Sequence, residues 1–173
     1  MSTPMEPPAP QRPRAGEPGG NSRRSASRRS VARLAAVQAL YQLELNPGVD
    51  PEAVLREFGR HRFGHDIDGE QYREVDPALF SDIVRGVAAD REYIDQVISS
   101  VLTEEWPLRR LDAVLRAILR AGAYELARHD DVPPRVSISE YTSLAHAFFS
   151  GKEPGLANGV LDRLGRNLRA AEM

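Results

Sequence analysis

The residues of this chain best suited to chemistry are arginines. Arg23, Arg24, Arg28, Arg29 and Arg33 stand close together near the N-terminus, with Arg12 and Arg14 further upstream. A guanidinium is a planar fork of five donors that grips phosphate bidentately and stacks on bases, which an ammonium cannot do. If the helical pattern that begins nearby continues back to Arg23, these side chains fall on adjoining faces of one element. Tyr41 follows on that same element, two turns beyond Arg33. Basic side chains with a stacking aromatic are the minimum needed to hold single-stranded RNA. Two plainer readings stand beside this one: the arginines as a solvated, non-specific tail, and Tyr41 as a core residue of an amphipathic helix.

Other constellations fall short of a site. A phosphate-cradling loop needs a glycine five residues before Gly151-Lys152 and a Ser or Thr after the lysine; His146 and Glu153 stand there instead. His61, His65, Asp66 and Asp68 lie together, but their spacing matches neither the zinc-protease helix nor the EF-hand loop, so they read as a solvated polar loop. His129 and His146 have no Ser or Cys partner at a recognisable spacing. Glu140 reads as a capping or dipole residue rather than a general base. Catalytic residues, metal ligands and cofactors are therefore expected to be absent.

The charge distribution supports the emphasis on the arm. Residues 1–30 carry six arginines against Glu6 and Glu17, a net of +4, whereas residues 31–173 hold 17 basic and 23 acidic side chains, a net of −6. A basic arm on an acidic body points to a polyanion meeting the arm. Of the 23 basic residues, all but Lys152 are arginine, a skew that genomic codon bias also produces. The same thirty residues contain six Pro, three Gly and five Ser. Ordering them costs about 1–2 kcal/mol per residue with almost no apolar return, so residues 1–29 are expected to be a disordered arm, with 23–30 becoming helical on binding.

The elements that must present this arm are helical. With 173 residues, 41% of them hydrophobic, one domain with a real core is expected over residues 30–170. Ser30 reads as the cap of a first helix carrying Leu34, Val37, Leu40, Tyr41 and Leu45. Asp50-Pro51 and Asp76-Pro77 repeat one start signal, with Pro in the first turn. The apolar series from Leu79 to Val101 predicts two dozen helical residues bent near Gly86–Asp90, and residues 59–75 predict a loop. Pro107 marks a boundary before the broadest apolar stripe, Leu111 to Leu126, which is expected at the centre. Val136–Ile138 looks extended, Ser139 reads as the cap of a helix over Tyr141–Phe149, and 151–155 as a loop before a last helix. The fold class is all-α, a compact bundle of about seven helices preceded by the arm. Cysteine is absent and no apolar run is long enough to span a bilayer, which fits a cytoplasmic protein without a membrane partner.

These segments resemble the NusB transcription antitermination factors. The similarity begins with Arg33-Leu34-Ala35-Ala36-Val37-Gln38-Ala39-Leu40-Tyr41-Gln42 and continues through Phe80-Ser81-Asp82-Ile83-Val84-Arg85-Gly86-Val87. It runs on through Trp106-Pro107-Leu108, Arg116-Ala117-Ile118-Leu119-Arg120 and Tyr124-Glu125-Leu126. Asp131-Val132-Pro133, Ile138-Ser139-Glu140 and Asn158-Gly159-Val160-Leu161-Asp162 complete it. Order and spacing hold from about residue 28 to 168. The resemblance implies an all-helical fold without catalysis and an arginine-rich N-terminus that binds RNA. It also implies boxA-type RNA in nascent ribosomal transcripts as the ligand, shared with NusE, a ribosomal protein that doubles as a transcription factor. Through that pair it implies loading of an antitermination complex on RNA polymerase. The residues expected at the RNA are Arg23, Arg24, Arg28, Arg29, Arg33, Tyr41 and Lys152. Three features depart from the family pattern: a longer, Pro-richer arm, Leu115 where an acidic residue is common, and Lys152 with Glu153 in a loop that is commonly acidic.

Two other functions are compatible with helices of this kind. One is a helical protein-interaction adaptor whose basic tail is incidental. The other is the RNA-binding domain of an rRNA cytosine methyltransferase, disfavoured because the sequence shows no methyltransferase domain or cofactor loop.

Overall fold

Small residues shape the packing of the first helix. In the computed structural model, which describes residues 19–61 and 75–173 with side chains from Arg28 to Arg60 and from Val75 onward, helix α1 spans Gly19–Leu45. Its inward face is Ala32, Ala35, Ala36 and Ala39 with Val37 and Leu40, all buried. Alanines allow close approach, and α1 packs against α3 (Pro77–Ala89) and α5 (Ala113–Arg128). Helix α2 (Pro51–His61) lies against α1 and α3, its Phe58 ring 5.3 Å from that of Phe80. Helix α4 (Arg91–Ser99), α6 (Pro134–Phe148) and α7 (Glu153–Leu168) complete the bundle, with a 3₁₀ turn at Leu108–Arg110. Helix α5 touches α1, α3, α4, α6 and α7, so the broadest apolar stripe is central as expected.

The start signals act as the sequence predicts. The Asp50 carboxylate accepts from the Glu52 N–H at 3.0 Å and that of Asp76 from Leu79 N–H at 3.0 Å; α5 is capped in the same way by Asp112, which the sequence reading did not single out, accepting from Val114 N–H at 2.8 Å. Gly48 turns the chain between α1 and α2 with φ +93°, a conformation glycine adopts without steric cost. The expected bend is a break at Asp90, which closes α3 through its N–H to the Gly86 carbonyl and opens α4 by accepting from Ile94. Gly86 is required for contact rather than for torsion. A Cβ there would lie 2.1 Å from the Tyr124 ring.

Several boundaries differ from expectation. Helix α1 starts at Gly19, eleven residues before the Ser30 cap, so Ser30 is an interior helical residue. Val136–Ile138 is helical, not extended: Pro134 opens α6 in its first turn, and the helix then buries Ser137, Ile138 and Tyr141 on one side. Ser139 and Glu140 are accordingly mid-helix, and Glu140 is not a cap. Helix α7 begins inside the expected loop, at Glu153, again with Pro in its first turn. The expected loop at 59–75 overlaps the end of α2, while His65, Asp66, Asp68 and the side chain of His61 lie outside the described residues, as does the arm at 1–18.

The far end of the chain returns to the middle. Arg169, just past α7, donates to the carbonyls of His129 (3.1 Å), Val132 (2.7 Å) and Asp130 (3.1 Å), and pairs with Glu172. A single guanidinium thus satisfies three carbonyls of the α5–α6 connection.

Candidate nucleic-acid interface

The described part of the arm begins where α1 meets the body. Arg28 is exposed, and its carbonyl accepts from the Asp76 N–H at 3.2 Å. Arg29 is half-exposed, 3.9 Å from Asp76 and 3.9 Å from Asp131. At that separation both carboxylates are electrostatic neighbours, and a phosphate can compete for the same guanidinium. The side chains of Arg23 and Arg24 lie outside the described residues, but both positions belong to α1.

Arg33 is a correction. It is 2% exposed, and the sequence placed it among RNA-facing residues. Its Nε donates to Glu125 at 3.0 and 3.1 Å and its Nη2 at 2.6 Å. Burial pulls the guanidinium's pKa down, but the Glu125 hydrogen bonds and charge overcome this, and the net shift is upward. Glu125 is itself 0% exposed and also accepts from Ser137 Oγ (3.1 Å) and Tyr141 OH (2.8 Å). Burial and the Glu125 carboxylate push the Tyr141 phenol well above its ordinary range, keeping it protonated as a donor. Arg33 is thus the anchor of α1 rather than part of its working surface.

Glu125 is the residue that sequence reasoning missed. A signal existed: it lies four residues after Ala121 and seven after Ile118, on the apolar stripe of α5, where a charge must have a buried partner.

Tyr41 sits between its two expected roles, partly buried and packed against the core. It is 13 residues beyond Arg28, which on an ideal helix is about 20 Å along the axis and roughly 140° round it. The two share an element but not a face. Lys152 is exposed at the N-terminal cap of α7, on a separate element from the arginines. Arg116 and Arg120, in a segment carrying the family resemblance, are tied elsewhere. Arg116 donates to Glu44 at 2.8 Å and Arg120 to Asp95 at 2.8 Å, which links α5 to α1 and α4.

A second polar cluster borders the arm's root. Tyr124 OH donates to Asp82 at 3.2 Å, His129 Nε2 lies 2.5 Å from the same carboxylate, and His129 Nδ1 is 3.8 Å from Asp131. Burial, with the charge of Asp82, raises the Tyr124 pKa to about 12. The cluster joins α3, α5 and the α5–α6 connection. Among the described residues, no helix is long and apolar enough to cross a membrane.

Comparison with known proteins agrees with the all-helical fold. The model described as the NusB family matches residues 30–166. The chain is 50% identical over 153 residues to the transcription antitermination protein NusB of Bradyrhizobium sp. strain ORS 278, covering 88% of this chain and 90% of that one. It is 52% identical over 141 residues to the protein of the same name from Caulobacter vibrioides, covering 82% and 94%. A solved structure of T. maritima NusB superposes with a TM-score of 0.68 at 28% identity, over 83% of this chain and 94% of that one.

Proposed function

The chain belongs to the NusB family and is a transcription antitermination factor rather than an enzyme; we propose that it acts by binding boxA-type single-stranded RNA with the arginine-bearing start of α1, jointly with NusE, as part of the antitermination complex on RNA polymerase in the cytoplasm. The observation that carries this reading is the contrast along α1. Its inward face is sealed by alanines and the Arg33–Glu125 pair, while Arg28 stays exposed at the head of the body. Arg28 and Arg29 follow Arg23 and Arg24 on the same helix, and a cluster of positive charge on an otherwise acidic protein attracts a polyanion. Tyr41 contributes a ring that is only partly committed to the core, and Lys152 a second cationic point on α7. The interface with NusE supplies the rest of the RNA surface in this reading, and by linkage RNA tightens NusE by the factor that NusE tightens RNA.

The test is a salt titration of boxA RNA binding, against a scrambled strand, with and without NusE. Replacing Arg23, Arg24, Arg28 and Arg29 together by Ala should flatten the slope of log K against log salt by roughly 2–3, since each phosphate contact on a single strand contributes about 0.7. Tyr41→Ala should lower affinity by about 1–3 kcal/mol while leaving that slope in place, the signature of lost stacking. An unchanged slope in the four-arginine variant rules out the arm as the RNA element.

A further inference from the structure

The root of α1 is held by more negative charge than its burial requires. Arg33 and Glu125 neutralise one another, and the remaining acceptor capacity of Glu125 is taken up by Ser137 and Tyr141. Glu140, on α6, is then a surplus carboxylate. It lies 3.6 Å from Arg33 Nη1 with its side chain 30% exposed, and it accepts from Ser30 Oγ at 2.8 Å. On the other side of the helix's head, Asp76 donates its backbone N–H to the Arg28 carbonyl and places its carboxylate near Arg29. A surplus acid next to an RNA-binding arm weakens RNA binding by charge alone. Its presence calls for a use that outweighs that cost.

The use follows from the sequence upstream. Residues 19–30 read Gly-Gly-Asn-Ser-Arg-Arg-Ser-Ala-Ser-Arg-Arg-Ser, with no large apolar side chain and several weak helix formers. A helix of that composition and length is marginal in water unless an ordered helix feeds it. Continuation from the docked part of α1 therefore depends on how firmly its last attached turn, residues 28–33, is held.

We propose that Glu140 and Ser30 are positioning residues for RNA: with Asp76 they clamp the root of α1, so that the arginines before Ser30 are delivered on a helix of set direction. This rests on the arm being the RNA element, and the experiment separates the two. Charge and position make opposite predictions for Glu140→Gln. Loss of an acid near a polyanion strengthens binding, whereas loss of positioning weakens it.

The experiment measures boxA RNA binding by full-length protein with NusE, at about 0.15 M salt. Loss of a single phosphate contact there weakens binding about fourfold, from the slope of about 0.7 per contact. That weakening is expected for Glu140→Gln and for Ser30→Ala, and Ser30→Thr, which keeps the hydroxyl, should restore parental affinity. The chain has no cysteine, so spin labels at Ser22→Cys and at exposed Gln96→Cys report the direction of α1 against α4 without RNA. Their distance distribution should broaden in Glu140→Gln and Ser30→Ala and be narrow again in Ser30→Thr. Tighter or unchanged RNA binding in Glu140→Gln overturns the proposal, as does an unchanged distance distribution. If the four-arginine variant also binds RNA like the parent, the arm reading falls with it. If that variant loses its phosphate contacts while Glu140→Gln binds normally, only the positioning role is lost.

Discussion

Two arginine–carboxylate pairs in this molecule share a geometry and differ in where they sit. Arg33 grips Glu125 through Nε and Nη2, with a shortest contact of 2.6 Å, inside the junction of α1, α5 and α6. Arg85 grips Glu52 through the same two nitrogens, also at 2.6 Å, on the open face between α3 and α2. Distance does not distinguish them, but solvent does. Arg33 and Glu125 are closed off from solvent, so losing either one leaves the other a poorly compensated buried charge, with only Glu140 still 3.6 Å from Arg33. Around Arg85 water and salt replace the partner at little cost, and both side chains are about half-exposed. The buried pair locates a helix, and the exposed one decorates a surface.

The largest effect should come from Glu125→Ala. It leaves Arg33 with only the longer contact to Glu140, strands the Ser137 and Tyr141 hydroxyls, and should cost about 3–5 kcal/mol, read from the shift of a urea unfolding midpoint. The double replacement Arg33→Met with Glu125→Leu should recover part of that loss, because it removes the charge as well as its partner. If Glu125→Ala proves as mild as a change at Glu52, the contrast between the two regions breaks.

An intermediate case is the half-sheltered cluster of Tyr124, Asp82 and His129. The phenol's pKa rises from 10.0 to about 12 on folding, so the folded state prefers its protonated form. The associated stability is complete below pH 10 and is lost as pH rises through about 12. Denaturant midpoints of the parent chain should therefore fall more steeply over that window than those of Tyr124→Phe. Parallel curves would show that Asp82 and burial do not hold the phenol in this way.

The smallest effect is expected at the surface. The hydrogen bonds from Arg85 hold the Glu52 carboxyl below its ordinary range. That contribution is present above the unfolded carboxylate pKa and fades as pH drops through the folded one. Glu52→Gln should leave the melting temperature at neutral pH and moderate salt nearly unchanged. A clear loss there would place this pair closer to the buried one than its exposure allows.

The same division between local and distant causes decides how much was legible in the sequence. Asp50-Pro51, Asp76-Pro77 and the stripe from Leu111 to Leu126 act within a few residues, so two helix starts and the central element could be read directly, although α5 itself begins at Ala113. Val136–Ile138 misled because its β-branched residues signal an extended segment, whereas Pro134 and the burial of Ser137 and Tyr141 against α5 override that preference. At the candidate interface the arginine types and the helix carrying them were legible. The burial of Arg33 was not, because its partner lies 92 residues away and the choice between phosphate and Glu125 is made by packing.

The contact of Arg169 has a consequence for the order in which the molecule assembles. Its three carbonyl partners precede it by 37 to 40 residues, so the α5–α6 connection cannot be secured while the chain is still being synthesised up to α7. That connection carries Asp131, one of the two carboxylates 3.9 Å from Arg29. One flank of the first helix is thus steadied by a side chain that is synthesised only after α7. A nascent chain short of Arg169 can seat α1 by its alanine face and the Arg33–Glu125 pair, but it lacks the three carbonyl ties that fix the segment carrying Asp131.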